Sequence, residues 1–370
     1  MAADHASDDS PTAEHPRSGR KSAPPGRRTS PRTELVDLPF AARAHPGHAA
    51  AGAHTLDWLH RFGMLTSERA TAEYDAMGLE LLMAYFYPHA DEGELALATD
   101  LNAWFFVFDD QFDGDLGKRP DVVAREVDSV LRVLDGEPPL PGEVPGPLAV
   151  SFAELWGRVA DGRPLLWRER FREHWRAYLK AYHWEALNRT RNGTLSLPGF
   201  LRGRRDSIGV QPCLDLVERC GGYTLPRELH EGVPLAEMRQ ITADVVIFVN
   251  DIVSVDKELA AGDVNNSVII LQRRDATSLD QAVRRVARHA ANRVARFQKL
   301  AGTLDAELTE AGLTGRLREQ VADYVGGMRA LMSGNLAWSR GTARYDASGI
   351  AAVSSGRLRP WAHLVKEDVG

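Results

Sequence analysis

The chain has 370 residues, of which 44% are hydrophobic and 26% are charged, with a formal net charge of −6. This composition excludes fibrous, disulfide-scaffold and wholly disordered proteins, and it leaves enough apolar material for one large core. The negative net charge gives no broad attraction for nucleic acid or anionic lipid.

The amino-terminal segment 1–34 is predicted to be a disordered tail rich in Pro, Ser and Arg, because residues 1–33 contain no Leu, Ile, Val, Phe, Tyr or Trp. No stretch reaches the roughly 18 uninterrupted apolar residues that cross a bilayer, and no secretory signal is recognisable. We therefore expect a cytoplasmic protein. Cys213 and Cys220 lie two helical turns apart, beyond disulfide reach, which favours two reduced and buried thiols.

From about residue 35 apolar residues recur with helical spacing, and runs of alternating β-branched residues are missing from the sequence. This pattern predicts an all-α protein with one helical domain over 35–346, followed by a flexible segment over 347–370. Four long apolar stripes are most simply interpreted as helix faces in the core. They comprise Leu101, Phe105, Phe108 and Phe112; Trp167, Phe171, Trp175, Tyr178 and Tyr182; Met238, Ile241, Val245, Phe248 and Ile252; and Val283, Val286, Ala290, Val294 and Phe297.

The first stripe ends in three carboxylates. A helix over about 92–113 would place Asp109 and Asp113 on one face, one turn apart, directly after the apolar residues 105–108. Negative charge at a helix carboxyl end opposes the helix dipole, so an ordinary solvated helix end is the less favoured alternative. The pattern favours a binding site for hard cations.

A second group of oxygen donors follows the third stripe. Asn250, Ser254 and Glu258 are spaced by four residues, which aligns an amide oxygen, a hydroxyl and a carboxylate along one helix ridge. Mg²⁺ takes such ligands while keeping positions for water and phosphate oxygens. Lys257 lies beside them, and the apolar run at 245–249 argues against an exposed polar helix end.

Together these motifs resemble those of the bacterial class I terpene synthases. The resemblance covers an aspartate-rich motif at 109–113, the Asn/Ser/Glu triad with its preceding Lys257, and a carboxyl-terminal Arg344-Tyr345 pair. In that family a carboxylate often follows the aspartate motif, whereas this chain has Gly114. Which of the later carboxylates contact metal therefore stays open.

The resemblance also implies a diphosphate-sensing arginine 46 positions before the triad asparagine, which selects Arg204 over the adjacent Arg205. Three positions later, Ser207 stands where many members have an aspartate that relays diphosphate binding to the next helix. A hydroxyl makes no charge-assisted hydrogen bond, so a weaker relay is expected. The following Ile208 would direct its backbone carbonyl at the substrate cation.

The implied protein is a class I terpenoid synthase bundle that ionises a linear prenyl diphosphate, with farnesyl diphosphate favoured, and cyclises the carbocation. About three Mg²⁺ ions, for which Mn²⁺ can substitute, would hold the diphosphate, and aromatic rings would face the cation. The implied metal ligands are Asp109, Asp113, Asn250, Ser254 and Glu258. The implied catalytic residues are Asp109, Arg204, Lys257, Arg344 and Tyr345. The implied substrate-binding residues are Arg204, Ser207, Ile208, Lys257, Arg344, Tyr345, Phe105, Phe106 and Trp338.

Several alternatives are weaker. A geranylgeranyl diphosphate cyclase is the nearest one, and a non-catalytic helical interaction protein is more remote. A chain-elongating prenyl transferase would need a second aspartate-rich motif in place of the Asn250 series. A di-iron bundle would need paired Glu-x-x-His motifs, which this sequence lacks. A homodimer is common in the resembled family, and the sequence itself leaves the oligomeric state open.

Overall fold

The computed structural model describes residues 31–191, 195–310, 312–346, 349–351 and 357–365. These residues form fourteen α-helices and no β-strand, which confirms the predicted all-α class. The helices are α1 (His48–Arg61), α2 (Glu68–Asp75), α3 (Leu79–Phe86), α4 (Glu92–Asp109), α5 (Pro120–Asp135), α6 (Pro147–Ala160), α7 (Leu165–Thr190), α8 (Leu197–Ser207), α9 (Val210–Cys220), α10 (Arg227–His230), α11 (Val233–Ala261), α12 (Ser267–Asp275), α13 (Leu279–Glu310) and α14 (Arg316–Ser339). Short 3₁₀ turns cover Pro31–Leu35, Asp110–Phe112, Asp115–Lys118 and Ala343–Tyr345.

The four predicted stripes lie on α4, α7, α11 and α13, except that Phe112 falls in the 3₁₀ turn after α4, and their apolar residues are buried. The predicted end of the first helix at Asp113 is wrong, because α4 ends at Asp109 and a 3₁₀ turn follows. This tighter turn directs Asp110 into the core, where it meets Arg344 and the indole of Trp361.

Aromatic packing fixes the distance between α4 and α7. Trp104 stacks on Phe108 of the same helix with ring centroids 4.7 Å apart, and it meets Trp175 of α7 at 5.6 Å. Phe105 stacks on the same Trp175 at 4.4 Å. Such ring pairs contribute roughly 0.5 to 1.5 kcal/mol each beyond simple burial. They hold the carboxyl-terminal end of α4 in a defined position.

Ordered residues occur in both segments predicted to be flexible. Thr33 is buried and Arg32 pairs with Asp256 of α11, so residues 32–33 pack against the bundle although they lie within the predicted tail. Trp361 is fully buried, which anchors 357–365 on the bundle after the predicted domain end at 346. These anchors depend on distant partners, which local composition does not reveal. Residues 1–30, 347–348, 352–356 and 366–370 lie outside the described residues, so there the tail and the flexible segment remain predictions.

Both cysteines lie on α9 as free thiols. Cys213 is buried, and burial raises its pKa to about 12, whereas Cys220 is only partly buried. Within the described ranges, every helix is too short or too polar to span a membrane.

Candidate active site

A cavity of about 170 Å³ lies between α3, α4, α7, α8, α9, α11 and α14. All of the residues that the sequence predicted for metal, diphosphate or substrate binding line this cavity, and none of them lies elsewhere. They are Phe105, Phe106, Asp109, Asp113, Arg204, Ser207, Ile208, Asn250, Ser254, Lys257, Glu258, Trp338, Arg344 and Tyr345. Their individual roles stay predictions, but their juxtaposition is a property of the fold.

The aspartate-rich motif divides its carboxylates between cavity and core. Asp109, Asp110 and Asp113 each have an oxygen within 4.8 Å of the others. Asp109 and Asp113 line the cavity, whereas Asp110 is fully buried on the core side. Asp115 is exposed and pairs with Lys118 at 3.1 Å, outside the cavity. Of the later carboxylates, Asp113 therefore has the position that suits a metal ligand.

Two buried cations neutralise this motif. The Arg344 guanidinium contacts Asp109 at 3.2 Å and Asp110 at 2.8 Å. The Lys257 ammonium contacts Asp113 at 2.7 Å. Both cations are almost completely buried, so each depends on its carboxylate partner to offset the cost of leaving water. The site thus pairs its candidate metal ligands with its candidate diphosphate ligands.

The two cavity-facing aspartates differ in pKa. Burial raises the pKa of Asp109 to about 6, and the neighbouring Asp113 adds to this effect against the attraction of Arg344. The Asp109 side chain lines the cavity and keeps 44% of its surface accessible. For Asp113, burial is outweighed by Lys257 and Arg344, which lower its pKa to about 2. The negative charge of Asp109 is therefore less stabilised by neighbouring cations than that of Asp113, and a bound metal ion would stabilise it.

The triad on α11 forms a cavity-facing ridge of Asn250, Ser254 and Glu258. The buried Ser254 hydroxyl lies beside Glu258 without a hydrogen bond of normal geometry to a described residue. Burial, followed by the charges of Asp251 and Asp263, raises the pKa of Glu258 to about 8. A carboxylate destabilised by burial next to an unused hydroxyl has the chemistry of a divalent cation site. The residues present therefore fit a metal.

The turn after α11 holds this ridge in place. The Asn266 amide oxygen caps α12 by accepting from the Val268 backbone N–H at 2.7 Å. Its amide nitrogen donates to Glu258 at 2.6 Å and to the backbone carbonyl of Asp251 at 2.8 Å. One asparagine thus orients the Glu258 carboxylate and starts the next helix.

Arg204 connects three helices at the cavity wall. Its Nη1 donates to Glu185 of α7 at 3.2 Å and to the Ser207 hydroxyl of α8 at 3.0 Å. Its Nη2 donates to the Asn250 amide oxygen of α11 at 3.2 Å. Burial opposes the charge, yet Glu185 and other carboxylates hold the pKa of Arg204 above its usual value. Ser207 accepts from the arginine, in line with the predicted hydroxyl relay.

The helical structure is interrupted between α8 and α9, at the cavity wall. Gly209 has a φ of +71°, in the left-handed region that favours glycine, and an added Cβ would lie 3.3 Å from the Phe105 ring. Four residues after Ile208, Pro212 has no N–H to bond the Ile208 carbonyl. This break supports the prediction that the carbonyl serves the site.

Aromatic residues form the wall below the polar rim. Phe106 of α4 meets Trp338 of α14 edge to face at 5.7 Å, and the Arg344 guanidinium lies 5.0 Å from the Phe106 ring centre. Trp338 also meets Tyr345 at 5.9 Å. The Tyr345 hydroxyl accepts a hydrogen bond from the Asn250 amide at 3.0 Å, which links the wall to the metal ridge.

Sequence reasoning missed the contribution of α7. It assigned two of its tyrosines to the core and gave no role to two charged residues one turn further on. The Tyr182 hydroxyl donates to Asp109 at 3.3 Å, and Glu185 pairs with Arg204 at 3.2 Å. The sequence signal that could have revealed them is that the aromatic stripe of α7 continues into the polar residues Glu185 and Arg189 on the same helix face. The cavity-lining residues of α7 are Tyr178, Tyr182, Glu185 and Arg189.

The carboxyl-terminal segment hydrogen-bonds to the aspartate motif on the side that faces the core. The Trp361 indole donates to Asp110 at 3.0 Å, and its backbone carbonyl accepts from the Gln111 amide at 3.0 Å. The Gln111 amide oxygen in turn accepts from the Leu364 backbone N–H at 3.0 Å. Residues 357–365 therefore help to position the turn that carries Asp109 and Asp113.

We expect Trp361→Phe to lower the free energy of unfolding by about 1 to 3 kcal/mol, because the fully buried Asp110 carboxylate loses an indole donor. Urea denaturation measures this change. Trp175→Phe is the matched control, since Trp175 is equally buried but its indole nitrogen has no hydrogen-bond partner among the described residues. Equal losses in the two variants would show that ring size, rather than the hydrogen bond, matters.

Comparison with known proteins is consistent with this geometry. Residues 100–296 match the family model described as terpene synthase family 2, C-terminal metal binding. Pristinol synthase of Streptomyces pristinaespiralis is 52% identical over 352 residues, which cover 94% of each chain. Isoafricanol synthase of Streptomyces violaceusniger is 51% identical over 346 residues, which cover 90% of this chain and 89% of its own.

Solved structures show the same architecture. Germacradien-4-ol synthase from Streptomyces citricolor superimposes with a TM-score of 0.75 at 29% identity, covering 83% of this chain and 98% of its own. Wild-type cucumene synthase superimposes with a TM-score of 0.73 at 32% identity, covering 83% of this chain and 100% of its own. The helical arrangement around the cavity is thus shared with these synthases.

Proposed function

This chain belongs to the terpene synthase family, and from that premise we propose that it ionises farnesyl diphosphate and cyclises the resulting carbocation with release of diphosphate. One observation carries the proposal. Oxygen donors from the end of α4 and from α11 meet at one rim of a cavity whose deeper walls are aromatic and apolar. A relative from Saccharothrix espanaensis, 33% identical, is named as a farnesyl diphosphate-cyclising synthase, which supports the substrate.

Ionisation separates charge, so the two halves of the site have different tasks. The departing diphosphate accumulates negative charge, and we propose that Arg204, Lys257, Arg344 and Tyr345 bind its oxygens. Metal ions, when bound, neutralise that charge and weaken the breaking C–O bond. Their proposed ligands are Asp109, Asp113, Asn250, Ser254 and Glu258.

The apolar half retains the carbocation. Phe106 and Trp338 present ring faces and edges to the cavity, and a ring close to a cation contributes roughly 0.5 to 2 kcal/mol without forming a bond. Phe105 is held by Trp175 and supports the same wall. Closure of the rim over the diphosphate would exclude bulk water from the reacting cation.

The metal-binding family model and the cluster of Asp109, Asp110 and Asp113 indicate divalent metal binding, and we propose Mg²⁺ as the ion, with about three ions per site and Mn²⁺ as a substitute. The two free cysteines support a reducing compartment, which we take to be the cytoplasm. A homodimer is proposed from the family resemblance, and light scattering coupled to size exclusion tests it.

Separate incubations with geranyl, farnesyl and geranylgeranyl diphosphate in the presence of Mg²⁺ test the function. We expect diphosphate release and volatile terpene products to be fastest with the farnesyl substrate. Faster turnover of the geranylgeranyl substrate would favour a diterpene cyclase. Failure of all three to release diphosphate would favour a non-catalytic helical protein.

The raised carboxylate pKa values predict how metal binding depends on pH. Glu258, at about 8, and Asp109, at about 6, carry protons that a metal must displace. We expect the apparent Mg²⁺ affinity to rise as the pH increases from about 6 to about 9, with proton release on binding near pH 7. Isothermal titration in two buffers of different ionisation enthalpy measures that release. An affinity independent of pH would contradict the assignment.

The same shift has a consequence for folding. Because the pKa of Glu258 is raised from 4.5 to about 8, the metal-free protein loses stability as the pH rises through that interval. Mg²⁺ with inorganic diphosphate should restore the stability, and Glu258→Gln should remove the part of the loss that lies between about pH 6 and pH 8. Thermal unfolding across this pH range, with and without both ligands, checks the sign.

A further inference from the structure

Two asparagines interrupt the apolar half of the cavity. Asn102 of α4 and Asn335 of α14 line the cavity with only 6% and 5% of their surface exposed. Asn102 Oδ1 and Asn335 Nδ2 are closed off from solvent and have no hydrogen-bond partner within the described part of the chain. An unpaired buried amide costs roughly 1 to 3 kcal/mol. Two such groups in one cavity indicate a polar ligand that the protein itself does not supply.

Their depth follows from the helices. Asn102 comes four residues before Phe106, and Asn335 comes three residues before Trp338, while those two rings are in contact. Each asparagine therefore lies about one helical turn below the aromatic pair on the same helix face. Asp109 is seven residues after Asn102, so the amide lies about 10 Å below the rim along α4. A prenyl chain with its diphosphate at the rim would place its distal carbons there.

We propose that Asn102 and Asn335 hold a water molecule that captures the carbocation, so that the main product is a terpene alcohol. This inference rests on the proposed function and adds the class of product. An amide offers both donor and acceptor groups, and a buried water needs 2 to 4 polar partners. Both amides line the same cavity, and together Asn102 Oδ1 offers an acceptor and Asn335 Nδ2 a donor for such a water.

The chemistry balances with water as the only co-reactant. A lone pair of the water oxygen forms a C–O bond to the carbocation, and the resulting oxonium ion loses one proton. The diphosphate that left during ionisation is the final base. One prenyl diphosphate and one water thus give one alcohol and one hydrogen diphosphate.

Apart from the Ser254 hydroxyl, which belongs to the proposed metal ridge, several other hydroxyls of the cavity are already hydrogen-bonded. Ser207 accepts from Arg204, and Tyr345 accepts from Asn250. The Tyr178 and Tyr182 hydroxyls bond to each other. The asparagine pair is therefore the better candidate for holding a nucleophile at depth.

Incubation of the wild-type enzyme with Mg²⁺ and farnesyl diphosphate in ¹⁸O-labelled water tests the product class. We expect the main product, analysed by mass spectrometry, to be an alcohol that carries the label. A main product without oxygen, formed alongside diphosphate release, would overturn this inference and leave the proposed function intact. Absence of diphosphate release would instead count against the proposed function.

Asn102→Leu and Asn335→Leu test the residues, because leucine has a similar size and cannot bind water. We expect the ratio of alcohol to hydrocarbon to fall about tenfold in each variant, corresponding to the loss of one water contact. Val246→Leu is the matched control, since it reshapes the same cavity without removing an amide and should keep the alcohol as the main product. Circular dichroism verifies folding. An unchanged ratio in both asparagine variants would refute their role.

Discussion

Asp109→Ala should reduce turnover by about 10³-fold or more, because it removes a cavity-facing carboxylate from the proposed metal site. Arg344 would keep its 2.8 Å contact with Asp110, so the fold should survive. Diphosphate release at saturating Mg²⁺ measures the activity, and far-ultraviolet circular dichroism measures the helix content. Comparable activity in the variant would refute the metal assignment.

Asp115→Ala is the control for this experiment. Asp115 belongs to the same acidic stretch, but 94% of its side chain is exposed, and its ion-pair partner among the described residues is the exposed Lys118. We expect its activity to stay within about twofold of the wild type, as for other surface substitutions. A large loss in this variant would mean that the charge of the whole segment matters more than the position of Asp109.

Arg204→Lys should lower kcat/KM for farnesyl diphosphate by about 10²-fold, although the charge is retained. One planar guanidinium contacts Glu185, Ser207 and Asn250 on three different helices. A lysine ammonium is a point charge, and it cannot reproduce this fork. We therefore expect a higher KM together with a lower kcat, because both diphosphate binding and the arrangement of the helices are affected.

Arg205→Lys is the neighbouring control. Arg205 makes a two-pronged contact with Asp244, at 2.7 and 3.0 Å, and lies outside the cavity. We expect some loss of thermal stability but activity within about twofold of the wild type. If the two lysine variants lost activity equally, Arg204 would be a structural residue rather than a substrate ligand.

These two arginines also show how far the sequence alone can predict the site. Residue type does not separate Arg204 from Arg205, but the family resemblance does, because it places an arginine 46 residues before Asn250. The structure joins Arg204 and Asn250 by a hydrogen bond. The α-helical ridge of Asn250, Ser254 and Glu258 was likewise predictable, because helix geometry alone aligns residues spaced by four. Patterns within one helix were therefore the most reliable guide.

Contacts between distant segments were not predictable in this way. The role of Glu185 depends on Arg204, and the anchoring of Trp361 depends on Asp110, 251 residues away in the chain. The end of α4 was misplaced for the same reason, since the tight turn after Asp109 accompanies the inward direction of Asp110. Local propensity contains no information about such partners.

The ion pairs of Lys257 with Asp113 and of Arg344 with Asp109 couple the binding of metal to the binding of diphosphate. Each of these cations is paired with a carboxylate that is a proposed metal ligand, so Mg²⁺ binding alone must compete with that ion pair. Diphosphate alone meets cations that are already occupied. When metal and diphosphate bind together, the metal can pair with the carboxylates while the diphosphate pairs with the cations. We therefore expect the two ligands to bind with strong positive cooperativity. Such cooperativity would keep the apolar cavity from closing around either ligand alone.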